Sequence, residues 1–196
     1  MTDSDNRNNL TEDPEEETSA APQKSTGSEI LSYVIMLASV VLIMLLLNNF
    51  VVINARIPSS SMENTIMVND QILGNRLAYL SSDPKRFDII IFKYPDDESK
   101  LFIKRVIGLP GDIVNIVDGK VYIDGSTDPL DDSFCRETPQ GSFGPYTVPD
   151  NSYFVMGDNR NDSHDSRYWT NTYVRKDQIL GRAFFRYWPL NKIGPI

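Results

Sequence analysis

Leu101-Phe102-Ile103-Lys104-Arg105-Val106-Ile107-Gly108-Leu109-Pro110-Gly111-Asp112 decides the fold class. Its first seven residues are a short run rich in Ile, Val and Phe, and Gly-Leu-Pro-Gly-Asp ends it as a turn; this is the signature of a β-strand. The same alternation of short apolar runs with Pro, Gly and Asp recurs on both sides. Phe87 to Phe92, Ile113 to Val117, Lys120 to Ile123, Ser152 to Met156 and Ala183 to Tyr187 all read as strands, with no long helical period among them. Asp118-Gly119 separates two of these runs and has the residue types of a two-residue type I′ hairpin turn. Asp124 to Thr147, rich in Asp, Ser, Pro and Gly, reads as a long surface excursion. The body of the chain is therefore mainly β, in antiparallel hairpin-connected strands.

Upstream of Arg56 the composition changes twice. Ile30 to Leu47 is apolar except for Ser32, Ser39 and Tyr33, and no charge falls between Glu29 and Arg56. As a helix that run is roughly 27 Å long, and Phe50 to Ile53 extends it toward the ~30 Å hydrocarbon thickness of a bilayer. A buried core helix would carry polar residues on one face. A cleaved leader would have a basic start, a shorter apolar run and a small-x-small site, and Asn54-Ala55-Arg56 offers none. The expectation is one transmembrane helix over residues 30–53. Lys24 and Arg56 nearly balance across it, so the charges alone leave its orientation open. Met1 to Glu29 carries −6 of the total charge of −8 and almost no apolar side chain, too little to offset the entropy of ordering, so a disordered tail is expected. The near-neutral remainder lacks the basic stripe that phosphate contacts need, which argues against nucleic-acid binding.

Cysteine and histidine occur once each among the 196 residues, as Cys135 and His164. No internal disulfide and no Cys/His zinc cluster can be built from them. His164 stands directly between Ser163 and Asp165, and adjacent residues do not ordinarily turn toward one another as a Ser-His-Asp relay. A Cys135/His164 thiol centre is formally open, with neither residue in a nucleophile motif.

Serine with lysine remains. A lysine serves as a base near neutral pH only when its ammonium form is destabilised, by about 4 kcal/mol for a downward shift of roughly 3 units. Lys104 lies between Leu101-Phe102-Ile103 and Val106-Ile107, surroundings that disfavour charge, whereas Lys93, Lys100 and Lys120 lie among turn or acidic residues. On that pattern alone, a strand lysine that reaches solvent along its stem is the commoner reading.

Taken together, the segments resemble bacterial type I signal peptidases from the apolar run to near the carboxyl end. Ile57-Pro58-Ser59-Ser60-Ser61-Met62 matches that family's nucleophile motif, Lys104 to Asp112 its general-base motif, and Gly157-Asp158-Asn159-Arg160-Asn161-Asp162-Ser163-His164-Asp165-Ser166-Arg167 its acidic, serine-containing motif. Gly181 to Pro189 looks like its last core strand. The resemblance implies an antiparallel β-sheet catalytic domain preceded by one transmembrane α-helix. It implies Ser61 as nucleophile and Lys104 as general base, with Ser59 and the Ser61 N–H as oxyanion hole and Ser163 orienting the lysine amine. Arg105, Asp158, Asp165 and Arg167 would be supporting ion pairs, and Ile57, Met62, Ile66, Phe102 and Ile103 would line apolar pockets for small substrate side chains.

The activity so implied is removal of signal peptides from secretory preproteins after Ala-x-Ala, without metal or other cofactor. The implied partners are those preproteins, membrane lipid and the protein-export translocon. Residues 1–29 would be cytoplasmic and residues 54–196 extracytoplasmic, as in the single-span enzymes of Gram-positive type. Two positions depart from the family pattern. Asn64 stands where proline is usual and leaves the rigidity of the nucleophile loop open, and Phe87 stands where glycine is common, with the bilayer or the adjacent loop as its expected surroundings. Two other readings stay open on the sequence: a catalytically idle, membrane-tethered binding relative, which Asn64 motivates, and a self-cleaving Ser/Lys regulator, against which the anchor counts.

Overall fold

The computed structural model describes residues 26–196. The acidic tail lies outside these residues up to position 25, and the part of it that is described, from Thr26, is helical. Helix α1 runs Thr26–Leu46 and passes into a π-helical turn at Leu47–Val51. From Gly27 on its side chains are exposed all round, and Gly27–Val51 is long and apolar enough to cross a bilayer. Two serines interrupt the apolar surface, and each turns its hydroxyl back onto its own helix: Ser32 Oγ donates to the Ser28 carbonyl at 2.9 Å and Ser39 Oγ to the Met36 carbonyl at 2.7 Å. Neither donor is left for an apolar solvent to satisfy. The helix gives out where β-branched Val51, Val52 and Ile53 follow Asn48-Asn49, residue types that favour extended backbone. Val52–Arg56 is therefore strand β1, and the helical geometry ends two residues before the sequence limit of 53.

The β-rich body holds eleven strands. After β1 come β2 (Gln71–Asn75), β3 (Ile89–Tyr94), β4 (Asp97–Gly108), β5 (Ile113–Val117), β6 (Lys120–Ile123), β7 (Phe143–Thr147), β8 (Ser152–Met156), β9 (Val174–Arg175), β10 (Ile179–Trp188) and β11 (Gly194–Pro195). The larger sheet has the order β1-β2-β10-β3-β4-β8-β9, with β11 on β10; a smaller one has β6-β5-β7. Every pairing is antiparallel. The Asp118-Gly119 turn takes left-handed φ at both residues, 47° and 79°, as type I′ demands, and sets Val117 opposite Lys120.

Alternation along the central strands shows where the core sits. On β3, Ile89 and Ile91 join one apolar cluster while Ile90 and Phe92 join another. On β8, Tyr153 and Val155 face the second cluster, and Phe154 and Met156 a third, with β5. The middle of the sheet is thus covered on both faces, which is why those runs are continuously apolar. Strand β4 lies between β3 and β8, so Lys104 on it starts from a buried backbone, directly opposite Ile90.

Candidate active site

Between β1 and β2 the chain makes a tight excursion that carries Ser61. Its ends are tied by Ile57 N–H to the Asp70 carbonyl (3.0 Å) and Asn69 N–H to the Ile57 carbonyl (2.8 Å). Inside it, Met62 and Ile66 sit one helical turn apart, bonded Ile66 N–H to Met62 carbonyl at 2.8 Å, and both are buried in the first core cluster. That pair fixes the loop from below. From the other side, Asn159 N–H donates to the Ser61 carbonyl (3.1 Å), Asn159 Nδ2 to the Ser60 carbonyl (3.2 Å), and Ser60 Oγ to Asp162 Oδ2 (2.6 Å). The segment after β8 therefore grips the serine-bearing loop through its backbone.

The grip needs a glycine. A Cβ on Gly157 would lie 2.2 Å from Ser163 Oγ and 2.3 Å from the Ser61 carbonyl oxygen, so only a residue without a side chain lets β8 end this close to both.

Lys104 is 4% exposed, and its Nζ is hydrogen-bonded to Ser61 Oγ. Burial pushes its pKa down from 10.5 to about 8; the negative charges of Asp165 and Asp158 oppose the shift and Arg167 adds to it. Desolvation wins because those carboxylates are already paired. Asp158 accepts from Arg105 Nε at 2.7 Å and Nη2 at 2.6 Å, and also from Thr65 Oγ1. Asp165 accepts from Arg167 Nε at 2.8 Å and Nη2 at 2.9 Å, and from the Gly157 N–H at 3.0 Å. An amine that is largely neutral just above pH 8, hydrogen-bonded to a serine hydroxyl, can take that hydroxyl's proton. Ser59 Oγ is 3.4 Å from Ser61 Oγ, and the Ser61 N–H has no acceptor among the described residues, so two donors stand beside the same hydroxyl.

The pair opens on a cleft of about 880 Å³. Ile57, Met62, Phe102 and Ile103 line it, as do Ser59, Ser61, Lys104 and Ser163. Ile66 does not: the turn that buries Met62 sends Ile66, fully buried, into the core beneath, so the structure corrects its expected place in the pocket wall. Ser163 Oγ is buried without a hydrogen-bond partner among the described residues, and its bond to the lysine amine is not formed. Sequence reasoning missed Thr65, which joins the nucleophile loop to Asp158, Asn159, which holds the loop's backbone, and Asp162, which takes the Ser60 hydroxyl; Asn159 and Asp162 lie in a matched motif, and Thr65 lies outside the matched stretches.

His164 is not a relay. Its Nε2 lies 3.4 Å from Tyr94 Oη and its ring stacks on Tyr168, while the Asp165 carboxylate is engaged by Arg167. The Cys135 thiol is pushed up to about 11 by burial, the reverse of a thiol nucleophile's need. Among the described residues no group of three or more His, Cys, Asp or Glu side chains is placed to hold a metal ion.

Both departures from the family pattern have left-handed backbone. Asn64 has φ 90° and Phe87 φ 72°. Glycine at the second position is thereby explained, whereas the ring of Phe87 turns inward to pack against the third core cluster and the Phe134 ring. At the first position proline, fixed near −65°, could not take this φ; Asn64 tolerates it and donates from Nδ2 to the Phe134 carbonyl.

Comparison with known proteins puts the chain among the peptidases, since the family model described as signal peptidase, peptidase S26, matches residues 30–188. A protein named signal peptidase I from Leptolyngbya laminosa is 38% identical over 185 residues, covering 90% of this chain and 89% of that one. A probable signal peptidase I-2 from Synechocystis is 44% identical over 151 residues, 74% of this chain and 67% of the other. A crystal structure of a signal peptidase I from Enterococcus faecalis aligns with TM-score 0.44 and 34% identity over 52% of this chain and 97% of that one. The chain belongs to the signal peptidase family, peptidase S26.

Proposed function

We propose that this protein is a membrane-anchored serine endopeptidase that removes N-terminal signal peptides from secretory preproteins, cutting after Ala-x-Ala with Ser61 as nucleophile and Lys104 as general base. The observation that carries the reading is the hydrogen bond between a buried, pKa-depressed lysine amine and a serine hydroxyl at the wall of a largely apolar cleft.

Neutral Lys104 removes the Ser61 Oγ proton as Oγ attacks the scissile carbonyl. Ser59 Oγ and the Ser61 N–H donate to the resulting oxyanion, donors of a kind typically worth about 3 kcal/mol each. The lysine then gives its proton to the leaving amine, and the signal peptide stays on Ser61 as an ester. The same amine, neutral again, takes a proton from the water that hydrolyses the ester; the Ser163 hydroxyl, without a partner among the described residues of the unreacted enzyme, is left to orient it at that step. Arg105, Asp158, Asp165 and Arg167 keep their charges paired beside it. Ile57, Met62, Phe102 and Ile103 give the substrate's small side chains an apolar wall, which rejects larger ones by clash.

Helix α1 spans the membrane, with the tail on the cytoplasmic side and the β-rich body outside. Tethering to the bilayer raises the effective concentration of substrates whose own apolar segments are embedded there. Exposed Phe184, Trp188, Leu190 and Ile193 support contact of the body with lipid, and the export translocon is the partner that delivers preproteins to such a site. The test is cleavage of a preprotein with an Ala-x-Ala site by the full chain in detergent, mapped by mass spectrometry. Cutting after the second alanine, lost in Ser61→Ala and in Lys104→Ala, is the expected result; unchanged cutting by either variant would end the reading.

A further inference from the structure

Asn64 and Phe87 lie on different segments, yet both meet Phe134, which sits in the irregular chain between β6 and β7. Asn64 Nδ2 donates to its carbonyl, and the Phe87 ring stands edge-on to its ring, centroids 5.9 Å apart at 64°. The Arg105 guanidinium lies over the Phe134 ring with Cζ 4.2 Å from the centroid, and that of Arg160 at 5.5 Å. Two residues before Phe134, Asp132 accepts from Arg160 Nη1 at 2.9 Å and Nη2 at 2.7 Å, which pins the strap in place. Arg105 in turn donates to the Phe87 carbonyl at 2.9 Å and to Asp158, whose carboxylate also takes the Thr65 hydroxyl. Left-handed φ in a residue other than glycine persists only where its surroundings hold it. For both residues a main neighbour is Phe134.

We infer that Phe134 is a positioning residue: it locks the loop bearing Ser61 onto the strand bearing Lys104 and Arg105, and Asn64, Phe87 and Phe134 work as one unit. The inference rests on the reading of Ser61 and Lys104 as the reacting pair. Phe134 does not line the cleft, so its loss should loosen the spacing of serine and amine while leaving substrate binding alone. Loss of the stacked guanidinium and the edge-on ring corresponds to about a tenfold change in rate.

Steady-state cleavage of the same preprotein by the full chain in detergent tests this, with Phe134→Ala, Phe134→Leu, Phe134→Tyr, Asn64→Ala and the double variant Phe134→Ala/Asn64→Ala. In Phe134→Ala kcat falls about tenfold with KM within about twofold of the parent. Phe134→Tyr restores the rate, Phe134→Leu fills the space without an aromatic face and does not, and the double variant is no slower than Phe134→Ala alone. If Phe134→Ala lacks the parent's circular dichroism spectrum, the Leu and Tyr pair carries the comparison. Equal rates for Leu and Tyr, a rise in KM with kcat intact, or losses that multiply in the double variant would overturn the positioning role. A parent chain that cuts, dependent on Ser61, beside fully active Phe134 variants sinks this inference only; a parent whose cutting survives Ser61→Ala sinks the proposed function and the positioning role with it.

Discussion

Replacing Lys104 by methionine is expected to make the protein more stable while removing its base. Lys104 is 4% exposed and its pKa falls from 10.5 in the open chain to about 8 in the fold. Because the folded value lies below the unfolded one, the unfolded chain holds the extra proton between these limits, and the lysine destabilises the fold, in full below about pH 8 and by less as the pH rises to 10.5. The two values differ by about 2.5 units, which corresponds to about 3 kcal/mol at pH 7. Methionine keeps the length and flexibility without the charge. Its hydrogen bond to Ser61 is gone, about 1 kcal/mol. The net gain at pH 7 is about 2 kcal/mol, or roughly 4–8 °C in Tm for a body of this size. Above pH 8 the gain shrinks as the unfolded lysine loses its advantage; at pH 10 only about 1 kcal/mol of the penalty remains, and the lost hydrogen bond offsets it. Thermal unfolding followed by near-ultraviolet circular dichroism, for both full chains at pH 7 and pH 10 in one detergent, reads the difference. A methionine variant that melts below the parent at pH 7, or whose advantage is the same at both pH values, would refute a buried lysine held against its charge.

Gly157→Ala is expected to lower kcat by about a hundredfold, because its Cβ would stand 2.3 Å from the Ser61 carbonyl oxygen and must displace the serine; steady-state kinetics with an unchanged Tm would localise the effect. Asn64→Pro, which would match the usual family residue, is expected to lose about 2–3 kcal/mol, since φ 90° is closed to proline and the bond to Phe134 disappears. Asn64→Gly should lose about 1 kcal/mol, and denaturant midpoints at constant m-value compare the two. Asp158→Ala leaves the Arg105 guanidinium without its bidentate partner at a site where the side chain is 12% exposed, an expected loss of about 3–5 kcal/mol by the same measurement.

The strands that were legible in the sequence are apolar runs closed at both ends by Pro, Gly, Asp or Asn. Ile113–Val117, Lys120–Ile123 and Ser152–Met156 have the boundaries that their apolar runs predict, and Asp118-Gly119 makes the hairpin its residue types demand. Strands without such boundaries were not legible. β1 begins with Val52 and Ile53, which extend the apolar run of the helix and read equally well as its last turn. β7 contains Gly144-Pro145 and is an edge strand, where the missing proline donor leaves no gap in the ladder, so residues that read as a loop pair with β5. β2 has only Ile72 and Gly74 buried, too short a pattern to separate from a turn.

At the site, the motifs pointed to Ser61, Lys104 and the two carboxylates that the arginines hold. They carried no information about Phe134, because a residue that acts through its ring face and its carbonyl in an irregular segment has no period and no motif. Ile66 was misplaced for a related reason: four residues on from Met62 in a turn, it follows the helical period into the core, and a list of matched positions does not show which way a side chain points.

The pH dependence of kcat/KM for preprotein cleavage tests the central claim most directly, because it reads the ionisation of the free enzyme's base. The account predicts an acid limb with an apparent pKa of about 8, activity rising to a plateau above it as Lys104 becomes neutral, and no change in that limb for His164→Ala. A limb in the ordinary imidazole range near about 6.5 that disappears in His164→Ala would contradict it.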